Sequence, residues 1–149
     1  MSPSTSPPIV EIAVEGVRSP AWRPRLASFS AKVLQRLGVD SGELAILLCG
    51  DARMTELNGR YRGIARPTDV LSFSRGESGA LSGDLAISLE TLARNAVSQG
   101  VRQGEELKRL AVHGILHLAG MDHGRGKGRA MMRAQSRLLK QLEGEWIIR

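Results

Sequence analysis

All three histidines of this 149-residue chain fall in one short segment, His113-Gly-Ile-Leu-His117-Leu-Ala-Gly-Met-Asp-His123. His113 and His117 are four positions apart, so on a helix they stack on one face and can hold a metal ion from the same side. Gly120 follows His117 at a distance where a left-handed residue ends a helix. The turn it makes brings the chain back, and His123 can then supply a third nitrogen. Three neutral imidazoles leave one tetrahedral position for water, which is the arrangement of catalytic rather than structural zinc. Water held there is acidified towards a pKa of about 7, and the ion doubles as a Lewis acid.

A structural zinc site is the lesser alternative, because no cysteine or fourth histidine is at hand to close the shell. Asp122 is a poor fourth ligand, since it sits directly beside His123. The spacing also matches the metzincin proteases at every histidine and at the turn glycine. It departs from them at Gly114, where a protease carries the glutamate that accepts a proton from water. The expected chemistry is hydrolysis at a metal, with peptide hydrolysis disfavoured.

The elements that must position these residues are legible from periodicity. Val10, Ile12 and Val14 alternate with Glu11 as in a half-buried strand over 9–14. Leu26, Phe29, Val33, Leu34 and Leu37 recur at helical spacing over 21–37, closed by Gly38. Residues 43–49 read as a central strand. Asp51 is placed to cap a short helix through Asn58. Short strands are expected over 70–73 and 83–88, then a helix from Ser88 or Thr91 to Gly100. A very apolar helix over 105–119 carries the first two histidines, and a last helix covers 129–143. Strands and helices are mixed rather than strictly alternating. The spacing predicts a single α+β domain over 9–149, with a small mixed sheet of about four strands packed with helices and the metal site on a central helix and the turn after it. The Ser/Pro-rich residues 1–8 read as a disordered tail.

Composition narrows the partners. The net charge of +6 and pI near 10.4 favour an anionic partner, nucleic acid first. Trp22, Phe29, Tyr61, Phe73 and Trp146 are the whole aromatic set, too few for a broad base-stacking platform. Cys49 is the single cysteine. It lies in an apolar run and reads as a small core residue rather than a nucleophile. No run of about 18 apolar residues exists, and no charged segment followed by an apolar one opens the chain. No membrane association and a cytoplasmic location are therefore expected.

The segment HGILHLAGMDH resembles the signature of the YbeY family of zinc-dependent endoribonucleases and ribosomal-RNA maturation factors, His-Gly-x-Leu-His-Leu-x-Gly-Tyr-Asp-His. Two further blocks agree: Leu57-Asn58-Gly-Arg-Tyr61-Arg62 followed by Thr68-Asp69-Val70-Leu71-Ser72-Phe73, and Gly83-Asp84-Leu85-Ala86-Ile87-Ser88. The resemblance spans about residues 43–123. Met121 replaces the usual tyrosine, and Ser74 stands where proline is common. The resemblance implies one zinc ion on His113, His117 and His123, with His113 and Arg62 as catalytic residues. It also implies single-stranded RNA as substrate, in particular precursor ribosomal RNA near the 16S 3′ end, and the ribosome or its small subunit as partner. Arg62 matches the family's functionally important arginine, whose planar donors suit a developing phosphoryl charge. A non-catalytic ribosome-assembly factor with structural zinc is the other reading.

Arg53, Arg60 and Arg66 can extend a positive path for phosphates around Arg62. Asp69 is expected to fix the turn into the Val70 strand through hydrogen bonds, with proton acceptance as its other reading. On the last helix Arg129, Arg133, Arg137 and Lys140 form a basic stripe. Met132, Leu138, Leu139, Leu142 and Trp146 are expected to be buried opposite it. Arg125 and Lys127 sit on the linker beside His123. RNA contact is the functional reading of Arg60, Arg125, Lys127, Arg129 and Arg133, and a solvated surface is the plain one.

Overall fold

The computed structural model describes residues 7–39, 41–75, 81–121 and 127–149. Its elements run β1 (Ile9–Val14), α1 (Arg23–Arg36), β2 (Gly42–Cys49), α2 (Asp51–Arg62), β3 (Val70–Ser74), β4 (Leu81–Ser88), α3 (Leu89–Gln99), α4 (Gln103–Leu118) and α5 (Lys127–Gln141). The four strands form one mixed sheet in the order β1-β2-β4-β3. β1, β2 and β4 are parallel and β3 is antiparallel on the edge. The α+β reading with four strands and a central β2 holds. Of the tail expected over 1–8, residues 1–6 lie outside the described residues, Pro7 is exposed and Pro8 is buried.

Strand alternation divides the apolar residues between two faces. Leu44, Ile46, Leu48, Leu85 and Ile87 point to one side and pack with Leu26, Phe29, Val33 and Leu34 of α1 and with Leu107, Leu110, Ala111, Ile115 and Leu116 of α4. Leu71, Ala86 and Cys49 point to the other side, where Met54 and Leu57 of α2 cover them. Burial pushes the Cys49 thiol up to about 11, and its sulfur donates to the Ile87 carbonyl. It is an inert core residue, as its apolar neighbours imply. No described helix is long and apolar enough to cross a membrane.

α4 is the central helix. It touches α1, α3, α5, β3 and β4, and glycines on both partners set its approach. A Cβ on Gly114 would lie 2.7 Å from Leu85 Cδ2, and one on Gly83 would lie 2.7 Å from Leu118 Cδ2 and 2.9 Å from the Phe73 carbonyl oxygen. The helix therefore sits down on β4 only because both positions lack a side chain. These two contacts also give direction: Gly114 lies at Leu85 and Leu118 at Gly83, so α4 runs antiparallel to β4.

Three local expectations are corrected. α2 extends through Arg62 rather than ending near Asn58, because the stop is Gly63 at φ 72°. The Gly63 and Ile64 amides close on the Gly59 and Asn58 carbonyls, the left-handed glycine stop that Gly59 was too early to provide. The N-cap of α2 is Gly50, not Asp51. Asp51 instead accepts from Ser88 Oγ at 2.7 Å, Thr91 Oγ1 at 2.6 Å and Arg94 at 2.7 Å, while its own amide donates to Glu90 Oε1 at 2.8 Å. The start of α2 is thus capped from α3. On α5 and just past its end the inward positions are Met131, Gln135, Leu138 and Leu142, and Met132 is 55 % exposed. Spacings of four, three and four keep one face inward, and Met132 is rotated off it.

Candidate metal centre

The buried stripe of α4 fixes where its histidines point. Leu110, Ala111, Ile115 and Leu116 face the core, and Gly114 faces Leu85. His113 and His117 are left half-buried at the margin of this packing. Their rings meet nearly edge to face at 4.7 Å between centroids, and the two Nε2 atoms lie 3.2 Å apart. Two nitrogens each about 2.05 Å from a tetrahedral zinc are separated by about 3.3 Å. The two described imidazoles thus present their nitrogens at the spacing that one ion requires.

The helix stops as expected. Gly120 takes φ 92°, its amide donates to the His117 carbonyl, and the Met121 amide donates to that of Leu116. Met121 packs on the core at this turn, so the residue that replaces the family tyrosine is an apolar anchor here. His123 lies outside the described residues, as do Asp122 and Arg125, and so does the side chain of Lys127.

His113 has a partner that the sequence did not reveal. Its Nδ1 lies 3.0 Å from Gln135 Oε1. An amide oxygen only accepts, so in this contact Nδ1 is the donor. Lys108 Nζ donates to the Leu142 carbonyl, and with the His113–Gln135 pair this shows α4 and α5 running antiparallel. The first turns of α5 therefore lie beside His117, and Arg129 and Arg133 project outward from them into solvent.

Arg62 occupies the last position of α2. It is exposed, as is Arg60, and neither has an ion pair among the described residues. Tyr61, its neighbour, contacts the Phe73 ring at 5.0 Å between centroids, while Ser72 Oγ on the opposite face of β3 donates to the Gly114 carbonyl. Tyr61, beside Arg62 on α2, and Gly114, beside His113 on α4, thus meet edge strand β3 from its two faces.

Arg53 does not join a free positive path. It pairs with Glu15 and Glu56, which neutralise it. The loop after Arg62 is held instead by polar contacts. The buried Asn58 donates to the Arg66 carbonyl at 3.0 Å. Asp69 Oδ1 accepts from the Val70 amide, and its Oδ2 accepts from Asn95. Arg109 stands 3.9 Å from the same carboxylate and pairs with the buried Glu106. Asp69 fixes the turn into β3, as its position suggested. Asn58 lies within a matched block, but only the loop geometry reveals what it holds.

Comparison with known proteins bears on the family and the fold. The family model described as Endoribonuclease YbeY matches residues 16–143. The chain is similar to Endoribonuclease YbeY of Treponema pallidum (strain Nichols), 41 % identical over 141 residues that cover 89 % of this chain and 88 % of that protein. It is also similar to Endoribonuclease YbeY of Geobacter metallireducens, 36 % identical over 148 residues that cover 93 % and 99 %. The solution structure of TM1509 from Thermotoga maritima superposes with a TM-score of 0.69 at 25 % identity, covering 92 % of this chain and 91 % of that one. With a family match over most of its length and relatives of this identity, the chain belongs to the YbeY endoribonuclease family.

Proposed function

We propose that this protein is a zinc-dependent endoribonuclease that acts on single-stranded precursor ribosomal RNA, at the 16S 3′ end, in the cytoplasm. The observation that carries the reading is the pair of Nε2 atoms converging at 3.2 Å on the central helix of a chain whose relatives are named endoribonucleases. His113, His117 and His123 would hold one zinc ion. When bound, the ion supplies Lewis acidity and a water of lowered pKa.

The remaining work falls to the chain's own groups. The His113 ring is oriented by its hydrogen bond to Gln135. Arg62, exposed at the end of α2, offers its guanidinium to a phosphoryl oxygen whose charge grows in the transition state. Arg60, Arg129 and Arg133, with Arg125 and Lys127, would track backbone phosphates, and sequence-independent contacts of this kind fit a single strand. Peptide hydrolysis is disfavoured on steric as well as chemical grounds. Position 114 points into Leu85, so a glutamate could not stand there without lifting α4 from the sheet.

The test is cleavage of a 3′-extended 16S precursor by zinc-loaded protein, with the product ends mapped, beside His113→Ala and Arg62→Ala prepared identically. Cleavage near the mature end by the parent is expected, with none by His113→Ala. A loss of about 100- to 1,000-fold is expected for Arg62→Ala, the usual effect of removing one donor to a transition-state oxygen. Equal cleavage by all three, or none by the parent, would move the protein to the role of a non-catalytic assembly factor.

A further inference from the structure

The inward face of α5 is apolar at Met131, Leu138 and Leu142 and polar at one position, Gln135, which is 8 % exposed. A buried amide in such a row costs stability unless it is hydrogen-bonded, whereas leucine or methionine would fill the space at no such cost. The hydrogen bond that explains it runs to His113 Nδ1 at 3.0 Å. The same imidazole turns its Nε2 to within 3.2 Å of His117 Nε2. The two ends of the His113 ring therefore do different jobs: one is held by α5, and the other faces the second histidine.

We propose that Gln135 is a positioning residue of the metal centre, whose buried amide oxygen fixes His113 as the Nδ1–H tautomer with Nε2 presented to the ion. This rests on the zinc reading above. A histidine that binds a metal through one nitrogen generally donates its other N–H to a fixed acceptor, which sets ring orientation and strengthens the ligand. Here the acceptor comes from a different helix, 22 residues further along the chain. Metal affinity accordingly depends on how α5 is docked on α4. Because the acceptor is neutral, the centre gains orientation without an added negative charge.

The experiment is a zinc titration of metal-stripped protein against a chromophoric chelator, without RNA, for the parent, Gln135→Met, Gln135→Glu and His113→Ala. Gln135→Met keeps the volume and loses the acceptor. Its zinc affinity is expected to fall about 10- to 100-fold, with the melting temperature of the zinc-free protein no lower than the parent's. Gln135→Glu restores an acceptor at the same reach and is expected to bind zinc at least as tightly as the parent. Equal affinity of Gln135→Met and parent, or failure of Gln135→Glu to restore binding, overturns the inference while the zinc reading stands. A parent that binds no better than His113→Ala overturns both. Should Gln135→Met not fold, the imidazole nitrogens of the zinc-free parent decide by NMR. Protonation of His113 at Nδ1 supports the assignment, and protonation at Nε2 overturns it.

Discussion

Two glycines do as much to place the candidate metal centre as the histidines that form it. Gly114 and Gly83 let α4 lie on β4 with side-chain carbons of Leu85 and Leu118 where Cβ atoms would otherwise stand. Gly114 therefore has two meanings. It removes the carboxylate that a zinc protease uses, and it sets the depth at which His113 is carried. Leu85 is 1 % exposed, so its methyls have little room to retreat. Gly114→Ala is expected to lower unfolding free energy by about 1–3 kcal/mol through overpacking, read as a lower denaturant midpoint at unchanged slope. An unchanged midpoint would show that Leu85 finds another rotamer and that the close approach is not needed.

At the scale of elements, one carboxylate joins the start of α2 to the end of β4 and the first turns of α3. Burial pushes the Asp51 carboxyl up, but hydrogen bonds from Thr91, Ser88 and Arg94 outweigh it and hold the group below its ordinary value of 3.8. With the folded value lowered, the stabilisation is fully present above the unfolded value and is lost as pH falls through the folded one. Asp51→Asn is expected to cost about 1–3 kcal/mol at neutral pH. Its gap from the parent should narrow in acid, as urea unfolding at pH 7 and pH 3 would show. A gap that does not change with pH would mean that the charge on Asp51 contributes nothing. The same region shows what the sequence could and could not reveal. The strands, the central helix and the turn at Gly120 announce themselves through apolar period and glycine placement, which are local signals. The capping of α2 by Glu90 and the grip of Gln135 on His113 join residues far apart in the chain. A polar residue looks the same in sequence whether it faces water or a buried histidine. For the same reason the sequence does not show that Met131 rather than Met132 is the buried one: adjacent methionines differ only in the rotation that packing selects.

For the molecule as a whole, the excess of positive charge is spread unevenly. Arg53 is matched by Glu15 and Glu56, and Lys32 by Glu145. Arg60, Arg62, Arg129 and Arg133 are exposed and without ion pairs among the described residues. RNA affinity is therefore expected to fall steeply with salt. Arg133→Gln should weaken binding to all single strands alike and reduce the log–log salt slope by about 1, measurable by fluorescence anisotropy across a salt series. A parent-like slope would remove Arg133 from the RNA path. The sheet and the central helix hold the His113 and His117 nitrogens 3.2 Å apart, and the proposed function requires that a single zinc ion held there is needed to cut RNA. The most direct measurement adds zinc stepwise to chelator-stripped protein while cleavage of a 3′-extended 16S precursor is followed, with His117→Ala alongside. The expected result is cleavage that rises to a plateau at about one ion per chain, as one set of three imidazoles requires, and none at any zinc level in the variant. Undiminished cleavage by the stripped parent, or by His117→Ala, would contradict the account.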